Sequence, residues 1–470
     1  MTEIPMTVAE AAAKLRSGEL TSVDLTEAVL ARADAIDSQL GSYVTRLDGS
    51  ALTSAERADA DFAAGVDRGP FQGIPVGVKD ILAMAEGPTT ANSLILDREW
   101  GAGKDGPVVA RLKRAGAVIT GKTTTSEFAC GSPDPTKPFP IPRNPWNLEH
   151  SPAGSSAGTG NGVAAGLFLA GIGTDTGGSI RSPASMNGIT GLKPTFGLVP
   201  KSGCVPLGYS LDHIGPMARS AADCAAMLSI IAGYDSSDEC SVDRPVDDYL
   251  AALDGSLTGV RVGVAREPHL TDDADPSLAG CFDYAVQVLE SLGATVVEVT
   301  LPYYQEMRAA LMATMLSEAL AYHRGDLQDR WTDYYASTRV NLAFGALVSS
   351  NDYVQAQRVR RFTMGKLAEL MTTVDVVVTA TSLTPAPKIA DMPTSIVPRL
   401  LRTSLTSYWN LMGQPALAVP MGFSADKLPL SLQIAGRPFE DALVLKTGDA
   451  FQTVTSWHLE APPLLRAVSA

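Results

Sequence analysis

The period of the apolar positions changes several times along this chain, and each change marks an element. Residues 7–39 place apolar side chains at helical spacing in two stretches, separated near Ser17-Gly-Glu-Leu-Thr-Ser22. Thr21 or Ser22 is positioned to cap the second helix, with Asp24 in its first turn. The run Ile74-Pro-Val-Gly-Val-Lys-Asp-Ile81 alternates instead, with Ile74, Val76 and Val78 on one side and Lys79 on the other, as a short strand would. A helical pattern over 106–115 leads into Ala117-Val-Ile-Thr120, a second strand. Residues 155–167 are small and helix-like, 168–173 read as a buried strand, and a tight glycine turn follows.

The region 235–256 is rich in Asp and Ser and reads as a surface excursion; strands are then predicted at 259–265 and 294–300 around a helix. Residues 303–373 are mostly helical with few glycines, suited to a cap over a site. Strands at 375–380 and 416–420 and a helix near 441–455 close the pattern. Alternating strands and helices predict an α/β fold, and the absence of any period of 20–50 residues argues against a repeat architecture. We read 1–470 as one large domain, with N-terminal helices at 7–39, a core at 70–220 and a helical cap at 303–373.

Composition narrows the function classes. Hydrophobic residues make up 45% of the 470 positions, enough for a sizeable core. A formal charge of −14 disfavours phosphate backbones and anionic membranes as partners, so neither nucleic acid nor a membrane is expected. The five cysteines are scattered without CxxC spacing, which fits neither a disulfide framework nor a zinc site. With no basic and apolar leader at Met1-Thr-Glu-Ile-Pro5 and no apolar run of spanning length, a reducing cytoplasm is the expected location. Pro133, Pro135, Pro138, Pro140 and Pro142 form a rigid extended stretch expected to wall a pocket.

Two glycine-rich loops carry the candidate chemistry: Ser151-Pro-Ala-Gly-Ser-Ser-Ala-Gly-Thr-Gly160 and Gly173-Thr-Asp-Thr-Gly-Gly-Ser-Ile-Arg181. Glycines let backbone N–H groups converge on one spot, and a serine there is a nucleophile that needs a base. Lys79, among Val76, Val78, Ile81 and Leu82, can be that base if burial keeps it neutral; the plainer reading is a strand-end lysine reaching to water. Ser155, Ser156 and Ser179 also suit helix caps. Gly154-Ser-Ser-Ala-Gly158 satisfies G-x-S-x-G, which would make Ser156 the nucleophile of a hydrolase elbow. That elbow needs a buried strand before it, whereas residues 144–152 are polar and broken by proline, and His213, His269, His323 and His458 have no distinctive surroundings.

Together these segments resemble the amidase signature family. The matching pieces are Gly73-Ile-Pro-Val-Gly-Val-Lys-Asp80, Asn144-Pro-Trp146, Gly154-Ser-Ser156, the 173–181 block, Gly188-Ile-Thr-Gly-Leu-Lys-Pro194, Leu211-Asp-His-Ile-Gly-Pro216, Asn410-Leu-Met-Gly-Gln-Pro415 and Leu430-Ser-Leu-Gln-Ile-Ala-Gly-Arg437. The resemblance implies a central mixed sheet flanked by helices and a Ser–Ser–Lys triad. Ser179 would be the nucleophile, Ser155 the bridging serine after a cis peptide, and Lys79 the base. The N–H groups of Thr176, Gly177, Gly178 and Ser179 would bind the oxyanion, with Asp175 and Arg181 bracing the loop and Gly154 and Ser156 supporting it. Neither metal nor organic cofactor is implied.

The family includes amide, anilide and carbamate hydrolases and the A-type subunits of glutamine-dependent tRNA amidotransferases. In those amidotransferases an arginine and an aspartate hold the amino acid's charged ends. Here they would fall near Asn341 and Thr403, with Arg339 close to the first position. An unpaired buried charge is costly, so a stand-alone hydrolase of neutral aryl or alkyl amides, anilides or carbamates (urethanes) is expected. The alternatives are a catalytically silent scaffold and the amidotransferase subunit. Leu311, Met312, Met315, Leu316, Tyr322 and Phe344 are candidate pocket residues in the cap. The partner expected is a small-molecule substrate, and a homodimer is left open.

Overall fold

The structure is a computed structural model, and it describes residues 3–267, 270–392, 395 and 405–468. Among the described residues eleven strands form one mixed sheet: β1 (Tyr43–Arg46), β2 (Pro75–Lys79), β3 (Val118–Thr123), β4 (Ala170–Asp175), β5 (Thr190–Lys193), β6 (His213–Ala218), β7 (Arg261–Val264), β8 (Thr295–Glu298), β9 (Val376–Ala380), β10 (Ala416–Phe423) and β11 (Pro429–Gly436). Their spatial order is β1-β3-β2-β4-β6-β5-β10-β11-β9-β7-β8. The first half of the sheet turns on β2, which runs parallel to both β3 and β4. The C-terminal ends of these strands therefore lie on one edge, bringing Lys79 beside the end of β4. In open α/β sheets that edge is where ligands bind.

The alternation in 74–81 predicts one buried face, yet every residue of β2 is buried, as in β3, β4, β6, β9 and β11. Helices cover both faces, so inner strands meet apolar neighbours above and below. Only the edge strand β8 is largely exposed. Strands β1, β5, β6 and β11 lie outside the elements expected from the sequence; β1, β5 and β6 are short or interrupted by Gly and Pro, whereas β11 does alternate, with Leu430, Leu432 and Ile434 against Ser431 and Gln433.

The two N-terminal helices are Val8–Ser17 and Ser22–Leu40, and Thr21 rather than Ser22 caps the second, accepting from Asp24 N–H. The first docks on the helix Ala221–Ile231, where Ala9 N–H donates to Asp223 at 3.1 Å. The small-residue helix is shorter than predicted, Ala157–Ala164, and β4 starts at Ala170. Phe168 accounts for the gap: its ring fills the space over Gly77 and Gly162, where a Cβ would approach within 2.7 and 2.3 Å.

No helix or strand forms within 235–256. The cap region folds as the helices Tyr304–Asp329, Ala336–Phe344 and Ser350–Leu370. Among the described residues no helix is long and apolar enough to cross a membrane.

Candidate active site

Lys79 ends β2 with its side chain fully buried. Its Nζ donates to Ser155 Oγ at 2.7 Å and to Thr174 Oγ1 at 2.7 Å. Burial pushes Lys79 down to about 7, while Cys204, Asp175 and Asp212 act to raise it. Lys122, on the neighbouring strand, is also buried, but it ion-pairs with Asp80 at 3.3 Å. Among the described residues Lys79 has no carboxylate within salt-bridge distance. Burial also lowers Lys122, and it brings Lys193 down to about 7, but Lys193 bonds backbone carbonyls, whereas Lys79 bonds a serine that lines a cavity.

The peptide bond between Gly154 and Ser155 is cis. Ser155 and Ser179 both line a cavity of about 490 Å³. Ser155 is 2% exposed, whereas Ser179 is half-buried and open to the cavity. Ser156 is elsewhere: its Oγ donates to Thr174 C=O and accepts from Thr174 N–H, both at 3.2 Å, and it does not line the cavity. Of the histidines, His213 is buried behind the glycine turn with Nδ1 on Leu211 C=O at 2.6 Å, and His323 bonds Tyr334 Oη at 2.9 Å. His458 is buried away from the cavity, and His269 lies outside the described residues. Among the described residues the elbow reading therefore finds neither its serine nor a histidine in the cavity.

The loop after β4 is built around Asp175. Its carboxylate accepts from Gly178 N–H at 2.7 Å and Ile180 N–H at 3.1 Å, and pairs with Arg181 at 3.0 Å. Burial acts to raise Asp175, but the Arg181 guanidinium and the Asn410 amide outweigh it and hold the carboxyl well below its usual range. Arg181, fully buried, also donates to Thr406 C=O, Gln433 Oε1 and Asn410 Oδ1 at 2.8, 2.7 and 2.6 Å.

This arrangement corrects one expectation. Gly178 N–H is turned onto Asp175 and does not face the cavity as an oxyanion donor. The N–H groups of Thr176, Gly177 and Ser179 donate to no acceptor among the described residues. Thr176 is itself fixed by its hydroxyl, which donates to Asp212 at 2.5 Å.

The cap expectation is corrected as well. Only Met315 of the six named residues lines the cavity; Leu311, Met312 and Leu316 are buried in the helical core, and Tyr322 and Phe344 point to solvent. Core packing claims them because a long helix between other helices buries its apolar side chains whether or not a site is near. The walls come instead from Met186, Leu207, the segment 381–384 after β9, and Pro133 and Pro142 of the proline-rich stretch.

Asp273 and Asp391 line the rim, and no Lys or Arg does among the described residues. Asn341 is buried and accepts from Ser395 Oγ at 2.8 Å; Arg339 turns away, its guanidinium 5.6 Å from the Trp331 ring. Thr403 lies outside the described residues. Among the described residues no group of three or more His, Cys, Asp or Glu is arranged to hold a metal ion.

Sequence reasoning gave no role to Thr174, Asp212, Thr406, Asn410 or Gln433. All but Thr406 sit inside segments already singled out for their resemblance, which was the available signal; their partners are set only by the fold.

Comparison with known proteins places these features in context. The Amidase family model matches residues 24–445. The A-type subunit of the glutamyl-tRNA(Gln) amidotransferase from Chloroflexus aggregans is 39% identical over 495 residues, covering 99% of this chain and 100% of that protein. The native peptide amidase from Stenotrophomonas maltophilia superposes with a TM-score of 0.84 at 32% identity, over 98% of this chain and 99% of that one. A chain from a vestigial protein complex, described as revealing the evolutionary origins of an s-triazine catabolic enzyme, gives a TM-score of 0.88 at 30% identity, over 95% and 98%.

Proposed function

Because this chain belongs to the amidase signature family, we propose that it hydrolyses the C–N bond of a small-molecule amide through an acyl-enzyme on Ser179. Neutral Lys79 takes the proton of Ser155, which takes that of Ser179 as its Oγ bonds to the carbonyl carbon. The developing oxyanion is received by the outward N–H groups of the 176–179 turn, those of Thr176, Gly177 and Ser179. Ser155 returns its proton to the nitrogen as the C–N bond breaks. Water then attacks the acyl group, gives a proton back along the same path and releases the acid. The observation that carries this reading is the 2.7 Å hydrogen bond to Ser155 from Lys79, which is fully buried with no carboxylate at salt-bridge distance among the described residues.

The cavity favours an amide, anilide or carbamate without a free carboxylate. A carboxylate entering it meets Asp273 and Asp391 and, among the described residues, no lining cation.

A second reading has support of its own: the 39% identity, spanning essentially the whole of both chains, to a protein named as part of a glutamyl-tRNA(Gln) amidotransferase. Under it the substrate is glutamine and the chain works within a larger assembly. The charge of −14 then leaves any contact with tRNA mainly to a partner.

Hydrolysis of a matched panel by wild type and Ser179→Ala separates the two. The panel is 4-nitroacetanilide, the corresponding aryl carbamate, a primary aliphatic amide and glutamine. Cleavage of neutral substrates that vanishes in the variant supports the hydrolase; turnover of glutamine alone supports the amidotransferase reading.

A further inference from the structure

We infer that Thr406 and Asn410 are positioning residues that aim the oxyanion N–H groups of the 176–179 turn, an inference that rests on the hydrolase reading above. They come from the far end of the chain, 229 and 235 residues from their partners in the turn. Asn410 lies in the short helix Ser407–Met412 and Thr406 immediately precedes it, so the two are one helical turn apart.

The peptide joining Gly177 to Gly178 is held at both edges. Its C=O accepts from Thr406 Oγ1 at 2.7 Å, and its N–H donates to Asp175 at 2.7 Å. In a trans peptide these groups point in opposite directions, so two bonds on opposite sides fix the plane against rotation. The next plane is fixed in turn, because Gly178 C=O accepts at 2.7 Å from the N–H of Ser182, in the helix Arg181–Asn187, which leaves Ser179 N–H directed away from that helix. Gly177 and Ser179, whose N–H groups are not engaged among the described residues, therefore flank a peptide that cannot turn.

Asn410 holds the other side of the same clamp. Its Nδ2 donates to Asp175 Oδ1 at 2.7 Å and to Asp175 C=O at 3.0 Å, while its Oδ1 accepts from Arg181 at 2.6 Å. A buried neutral amide is the group that serves an anion and a cation at once without adding charge. Gly178 belongs to this fit. Its φ is +131°, and a Cβ there would lie 2.0 Å from Thr406 Oγ1. The space a side chain at 178 would need is the space the threonine hydroxyl uses.

The experiment compares Thr406→Val, which keeps the shape and removes the donor, with Thr406→Ser, which returns it. Two quantities are read: kcat and KM for 4-nitroacetanilide, and amide hydrogen exchange across residues 176–180. The expected result for Thr406→Val is a kcat lower by about 10- to 100-fold with KM within about twofold, because a misaimed donor costs transition-state more than ground-state binding. Exchange at Gly178 should be faster, and Thr406→Ser should recover both. An unchanged exchange rate overturns the inference, as does a loss of kcat that serine does not recover. If wild type and Ser179→Ala do not differ on the anilide, it is the hydrolase reading that fails. The exchange rates then still decide, alone, whether Thr406 holds the turn.

Discussion

Lys79 Nζ meets Ser155 Oγ at 2.7 Å with no carboxylate at salt-bridge distance among the described residues, whereas its neighbour Lys122 is paired with Asp80. Burial lowers both of these lysines on adjacent strands, but Lys122 has an anion at hand that opposes it, and Lys79, with none at salt-bridge distance among the described residues, is brought to about 7. The rate should therefore rise with pH as Lys79 deprotonates, with an acid limb near 7 and a plateau above it. A kcat/KM profile from pH 5 to 9 checks this, and Lys79→Met should abolish the limb together with at least about 10³-fold of the rate.

The same shift has a stability consequence. The folded chain holds fewer protons on Lys79 than the unfolded chain between about 7 and the reference value of about 10.4, so stability gains with rising pH across that window. Urea unfolding at pH 7 and pH 10 should show this gain in wild type and a smaller one in Lys79→Met.

Ser155 and Ser156 are adjacent but differ in what they touch, the first facing Lys79 and the cavity, the second bridging Thr174 backbone atoms. Ser155→Ala should lower kcat by about 10³-fold or more. Ser156→Ala should instead cost about 1–3 kcal/mol of stability, read by urea unfolding, with a smaller loss of rate.

Asp175 and Arg181 form a fully buried ion pair. Asp175→Asn, leaving the guanidinium without its anion, should destabilise the protein by about 3–5 kcal/mol in urea. Since the folded carboxyl is held below its unfolded value, its contribution is complete above about pH 3.9 and is lost as pH falls through the folded value. Wild type and Asp175→Asn should therefore converge in stability only in strong acid.

Met315 lines the cavity and Met312 does not. Met315→Ala should change the ranking of acyl or amine groups across the panel, measured as kcat/KM ratios. Met312→Ala should leave those ratios within about threefold and act on stability by about 2–5 kcal/mol, as a core methionine does.

Local features of the sequence settled much of this protein. The periods of apolar positions located the N-terminal helices, β2 to β4 and β7 to β10, and the scarcity of glycine marked 303–373 as mostly helical, because each of these can be recognised within one segment. The glycine-rich blocks marked Ser155 and Ser179, since few folds need that density of glycine and serine. What the sequence could not supply was every relationship that depends on distant strands meeting. The order of the eleven strands puts Lys79 beside Thr174, and the Ser407–Met412 helix carries Asn410 and Thr406 onto a turn more than two hundred residues earlier. The direction of Gly178 N–H and the separation of Met315 from Met312 follow from these long-range contacts. Local spacing says which face a residue shares, but packing of the whole sheet decides what that face meets.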